Sequence, residues 1–178
     1  MFKLLFLLLI SFGSLFASKD VAIDADIQKS LEQLNKYSIV FGKGKSSEVY
    51  VFVDPLCSYS RALMQKIYDN KMLHLSNTYR ILFYRLPRLD SAKTIEYILE
   101  SQDKKAMLIS IMIEDMKPDL ENFTAKDETK NIVKEIAKVA QTLDMTQRPY
   151  MISFDKDSPY CRVSEGIVSC LEEFDEDD

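Results

Sequence analysis

The segment 49–67, VYVFVDPLCSYSRALMQKI, sets Cys57 just after an apolar run and Pro55, at the start of a helix-like stretch. Ser60 follows three residues later. Two cysteines at that spacing would form a dithiol centre; here the second position carries a hydroxyl. A thiolate at a helix start is stabilised by the unpaired backbone N–H groups and the helix dipole. Position alone therefore makes Cys57 a candidate nucleophile, with Ser60 as its partner in the motif. Attack on a disulfide gives a mixed disulfide, and release needs a second thiolate. Ser60 cannot supply one, so Cys57 cannot act alone as a dithiol oxidase or reductase. It can begin isomerisation, because the substrate's own thiol can resolve the adduct. It can also reduce a sulfenic acid, or hold a client as a trapped adduct. Each use needs some other agent to keep Cys57 reduced. A free cysteine can also pack as a small apolar residue, but the start of a helix argues against that role.

Two further cysteines, Cys161 and Cys170, complete the set. An odd count in an exported chain leaves at least one thiol without an internal partner. Three pairings are open. Proximity favours Cys161 with Cys170, a short loop whose closure is worth roughly 2–3 kcal/mol, and leaves Cys57 free. His74 is the single histidine and lacks companions for a metal site, so no metal or cofactor is expected. The formal charge is −5, without the basic patch that signals nucleic acid. Lys3, the apolar run LLFLLLISFGSLF and the small pair Ala17-Ser18 read as a signal peptide over 1–18. An uncleaved membrane anchor is the alternative. Export would place the chain in the periplasm, where disulfides persist.

The elements that would position Cys57 follow from periodicity. Residues 25–37 carry Ile27, Leu31 and Leu34 at helical spacing. SIVF is a short strand and GKGKSS a polar turn. EVYVFVD is apolar on both faces, which predicts a central strand covered on both sides. A helix over 57–69 and a strand over 78–87 follow, with Tyr79, Phe83 and Tyr84 as sheet residues. Two helices come next, broken near Gln102-Asp103. Residues 127–145 form the clearest amphipathic helix, with Ile132, Ile136, Val139, Ala140 and Leu143 in one stripe. PYMISF and YCRV read as paired strands. Ser164 is placed to cap a last helix carrying Ile167, Leu171 and Phe174. This order predicts an α/β, thioredoxin-like fold with a helical insertion. The expected division is a signal peptide (1–18), an N-terminal helix (19–37), the thioredoxin-like domain (38–174) and an acidic tail (175–178).

VFVDPLCSYSRAL resembles the active-site segment of the bacterial periplasmic disulfide isomerases, the DsbC/DsbG group. Asp54, Cys57 and Tyr59 match that family's Asp-x-x-Cys-x-Tyr-Cys pattern; Ser60 departs from it. The similarity runs over about 25–175. LEQLNKYSIVFGKGKSSEVYVFVDP resembles the linker helix and the entry to the catalytic domain, and AQTLDMTQRPYMISFDKD the cis-proline loop. The resemblance implies that Pro149 is cis beside Cys57. It further implies that Arg148, where the family usually has threonine, adds positive charge near the sulfur. Tyr59, Arg148 and Pro149 would then bind substrate. Clients would be exported proteins with disulfides or oxidised cysteines, and a membrane reductant would restore the thiol. The segment before residue 25 is too short for the family's N-terminal dimerisation domain, so its V-shaped dimer is not implied. The competing reading is a redox-inactive thioredoxin-like chaperone or adaptor of an envelope or secretion assembly.

Overall fold

Alternation along one strand organises the molecule. In Ser47–Val53, Val49, Val51 and Val53 join one buried cluster, and Tyr50 and Phe52 join another. Side chains alternate across a strand, so this strand is covered on both faces, as its apolar composition predicts. The computed structural model describes residues 19–22, 25–155 and 160–165. Its six strands are β1 (Lys19–Ala22), β2 (Ile39–Phe41), β3 (Ser47–Val53), β4 (Asn77–Phe83), β5 (Tyr150–Asp155) and β6 (Tyr160–Glu165), in sheet order β1-β6-β5-β3-β4-β2. β3 is parallel to β4 and antiparallel to β5.

Among the described residues six α-helices cover the sheet: α1 (Ala25–Gln33), α2 (Ser58–Asp69), α3 (Lys71–Ser76), α4 (Ala92–Glu100), α5 (Lys104–Met112) and α6 (Asp127–Thr142). Leu63, Met64 and Ile67 of α2, Ile95 and Ile98 of α4, and Leu108 and Ile111 of α5 pack with Val49, Val51 and Val53. On the other face, Leu31 of α1 and Ile136 and Ala140 of α6 pack with Tyr50, Phe52 and Leu82. The amphipathic stripes of α1 and α6 are thus the lid of the second core. Leu31 is fully buried, which makes α1 a wall of the domain.

Three local differences from the sequence reading have physical causes. Residues 19–22, expected within an N-terminal helix, form β1, whose backbone pairs with the outer edge of β6. Ser164, expected at a helix cap, is a ladder residue opposite Met151 inside β6. The helix expected after it lies outside the described residues, as do the signal segment, Cys170 and the acidic tail. α3 was not expected. The Asn70 side chain starts it by accepting from the backbone N–H groups of Met72 (3.0 Å) and Leu73 (3.2 Å). The GKGKSS turn lies directly on that helix's end. Gly42 has φ +75°, and a Cβ there would strike the Asn77 carbonyl.

Tyr50 gives this core a pH signature. Its hydroxyl donates to Asn35 Oδ1 at 2.9 Å. Burial, reinforced by Glu48, pushes the phenol up to about 12. An unfolded tyrosine loses its proton near 10, so between these values the unfolded chain binds fewer protons than the folded one. Tyr50's contribution is complete below about pH 10 and is lost as pH rises through about 12, by on the order of 2–3 kcal/mol. Urea titrations across that range should show this fall in wild type, and Tyr50→Phe should flatten it.

Candidate functional site

β3 ends at Val53, and the chain must turn sharply to enter α2. Asp54, fully buried, makes that turn. Its carbonyl accepts from the Cys57 N–H at 3.0 Å, and the Cys57 carbonyl accepts from the Arg61 N–H at 3.0 Å. Cys57 is the N-cap residue of α2, with φ −81° and ψ 122°, and its side chain makes no capping bond. The sulfur therefore sits beside the first turn with its free N–H groups. The thiol donates to the Arg148 carbonyl at 3.6 Å. The Arg148–Pro149 peptide is cis. Cys57 is only 3% exposed, whereas its neighbours Leu56 and Tyr59 are 43% and 58% exposed. The sulfur is recessed while the side chains at neighbouring positions project.

The Asp54 carboxylate holds this turn from below. Oδ1 accepts from the Leu56 N–H at 2.9 Å. Oδ2 accepts from the Leu86 N–H at 2.6 Å and from the Ser91 hydroxyl at 2.8 Å. Ser91 stands at the N-cap of α4 but makes no capping bond, because its hydroxyl is turned to Asp54. The sequence supplied Asp54 only as a motif match. Ser91 and Leu86 carried no local signal, since their partner lies more than thirty residues away.

Ser60, one turn into α2, is fully buried, and its hydroxyl accepts from the Asp54 N–H at 3.2 Å. The structure thus brings together Cys57, Ser60, Tyr59, Arg148 and Pro149. Arg148 contributes differently from expectation. Its carbonyl faces the sulfur, while its guanidinium donates to the carbonyls of Tyr84 (2.8 Å) and Gln147 (2.5 Å) and lies 3.9 Å from the centre of the Tyr84 ring. The insertion is also tied to the site. Arg61 of α2 pairs with Asp115, beyond α5, at 2.6 Å.

Cys161 is far from this end of the sheet. It pairs with Phe154, which pairs with Glu48 near the start of β3. At about 3.3 Å per residue, the length of β3 puts its backbone on the order of 15–20 Å from Cys57. A disulfide needs Cα atoms within about 7 Å, so Cys161 cannot be the resolving partner in this fold. Among the described residues no group of histidine, cysteine and acidic side chains could hold a metal ion. No helix among them is long and apolar enough to cross a membrane.

The architecture is a thioredoxin-like fold, with the helical pair α4–α5 inserted between β4 and α6. No family model and no curated protein matches the chain. Solved structures do. A thioredoxin-like oxidoreductase from Silicibacter pomeroyi DSS-3 superimposes with a TM-score of 0.60 at 16% identity, covering 85% of this chain and 95% of that one. A periplasmic thioredoxin-like protein from Salmonella enterica serovar Typhimurium gives 0.57 at 13% identity, covering 85% and 94%. The catalytic domain of Proteus mirabilis ScsC gives 0.57 at 18% identity, covering 83% and 94%.

The placement of Ser60 has a direct test. Residues three apart on a helix are neighbours, with Cβ atoms about 5–6 Å apart. The N-cap backbone, outside the helix, sets the remaining adjustment. Ser60→Cys should form a 57–60 disulfide under mild oxidant, mapped by mass spectrometry of non-reduced peptides. Two thiols persisting at 57 and 60 would contradict this geometry.

Proposed function

We propose that this chain is a monothiol thiol–disulfide exchange protein of the isomerase type, acting through Cys57 on exported proteins in the periplasm. The observation that carries the reading is the Cys57 sulfur at the first turn of α2, against the carbonyl before cis-Pro149, with a hydroxyl in the second motif position. Structural neighbours named as oxidoreductases and as a disulfide interchange protein from Neisseria gonorrhoeae support it. The signal-like residues 1–18 support the compartment.

The chemistry balances without an added oxidant. The Cys57 thiolate attacks one sulfur of a client disulfide, forming a Cys57–client disulfide and releasing the client's other thiolate. A different client thiolate then attacks the client sulfur of the adduct. A new client disulfide forms and the Cys57 thiolate leaves. Two disulfide bonds have broken and two have formed, and no electrons have been gained or lost. The exposed Leu56 and Tyr59 and the backbone flanking Pro149 would hold the client segment through both steps. A membrane thiol reductant would rescue any Cys57 that becomes oxidised off this cycle.

A second reading has one observation in its favour. The same exposed Leu56 and Tyr59 would serve a non-covalent chaperone or adaptor of an envelope or secretion assembly. Acid quenching followed by alkylation separates the two. The wild type should show client adducts reversed by dithiothreitol, and Cys57→Ser should abolish them. Clients retained by Cys57→Ser as efficiently as by wild type, with no covalent adduct in either, would select the adaptor.

A further inference from the structure

We propose that the Cys57 site selects client segments with acidic residues beside the disulfide, and that Arg85 and Arg88 read them. This rests on the exchange function proposed above. Both arginines are exposed, and neither makes a hydrogen bond or ion pair with any described residue. They belong to the loop between β4 and α4, which is fixed to every segment that holds the sulfur. The Tyr84 N–H donates to the Val53 carbonyl at 3.0 Å, at the end of β3. Leu86 N–H and the Ser91 hydroxyl bind Asp54, the residue whose carbonyl receives the Cys57 N–H. The Tyr84 carbonyl accepts from Arg148, whose own carbonyl contacts the thiol. A loop anchored at 84, 86 and 91 carries Arg85 and Arg88 at the end of the sheet where β3 turns toward Cys57.

The charge around the loop favours anions. Asp90 is the exposed acid within it. Asp54 is buried beneath and already accepts from three donors. The Arg61 charge is answered by Asp115. In a chain of net charge −5, two arginines without an ion pair among the described residues, on the loop that binds Asp54, are a local reversal of sign. Guanidinium binds carboxylate in a planar, bidentate fashion that ammonium cannot match. Leu56 and Tyr59 would add contact with the client backbone and apolar side chains. A client with aspartate or glutamate on either side of its cysteine complements this rim; one with lysines is repelled.

The test uses the full exported chain and three cysteine peptides of equal length, flanked by aspartates, serines or lysines. Each carries its cysteine as a mixed disulfide with thionitrobenzoate. Attack by Cys57 on the peptide sulfur releases the same coloured thiolate from all three. Rates are normalised to those with 2-mercaptoethanol, and a Cys57→Ser background is subtracted. At low salt the aspartate peptide should react faster than the lysine peptide by on the order of tenfold, since each exposed ion pair is worth a factor of a few. The ratio should shrink toward one at about 1 M salt, where screening is nearly complete. Arg85→Glu/Arg88→Glu should invert the order. Arg85→Ser/Arg88→Ser, a milder change, should bring the ratio close to one. Equal rates for the three peptides with wild type would overturn this inference while leaving exchange at Cys57 standing. No Cys57-dependent release from any peptide would sink both.

Discussion

The site depends on one buried carboxylate. Asp54 lies where β3 gives way to α2, with no exposure to solvent, and its two oxygens take three hydrogen bonds. One fixes the turn that presents Cys57, and two fix the loop that follows the neighbouring strand. Each donor left without an acceptor in that interior would cost about 1–3 kcal/mol. The β3–β4 register then matters for chemistry as well as stability. Parallel strands with Val53 opposite Phe83 deliver both loops to the same end of the sheet, within reach of one aspartate. The cis-proline loop arrives at that end because Tyr150, which follows it, pairs with Phe52.

Ser60 looks different once Asp54 is in view. Its hydroxyl accepts the Asp54 N–H, so the position that would hold a resolving thiol instead closes the backbone between strand and helix. A thiol is a weaker acceptor than a hydroxyl. The serine hydroxyl thus holds the turn beneath the Cys57 sulfur. What remains is a single recessed sulfur with Leu56 and Tyr59 exposed at neighbouring positions, which under the proposed function exchanges with a client but does not release itself. Redox-neutral exchange is the proposal built on that arrangement.

Much of this was legible in the sequence, for reasons that also mark the limits. β3 could be read because Val49, Tyr50, Val51, Phe52 and Val53 are apolar on both faces, which only a central strand can bury. α6 and α1 could be read from stripes at helical spacing, Ile132–Ile136–Val139 and Ile27–Leu31–Leu34. Cys57 and Ser60 were visible because a strand, a proline and a helix start punctuate the segment locally. α3 was not visible because only Leu73 of its six residues is buried, so no stripe exists; Asn70 was the one signal. β1 is four residues, KDVA, whose pairing depends on the distant β6. The orientation of Arg148 was hidden for the same reason. Its charge suggested the sulfur, but Tyr84, 64 positions away, provides both a carbonyl and a ring for the guanidinium.

The most direct measurement is thiol accounting during isomerisation. A client with scrambled disulfides, such as ribonuclease A, is incubated anaerobically with the reduced protein. Client activity and total free thiol are followed together. Redox-neutral exchange at Cys57 predicts that activity returns while total thiol stays constant, and that Cys57→Ser abolishes the recovery. Recovery accompanied by a matching loss or gain of thiols, or recovery undiminished in Cys57→Ser, would contradict it.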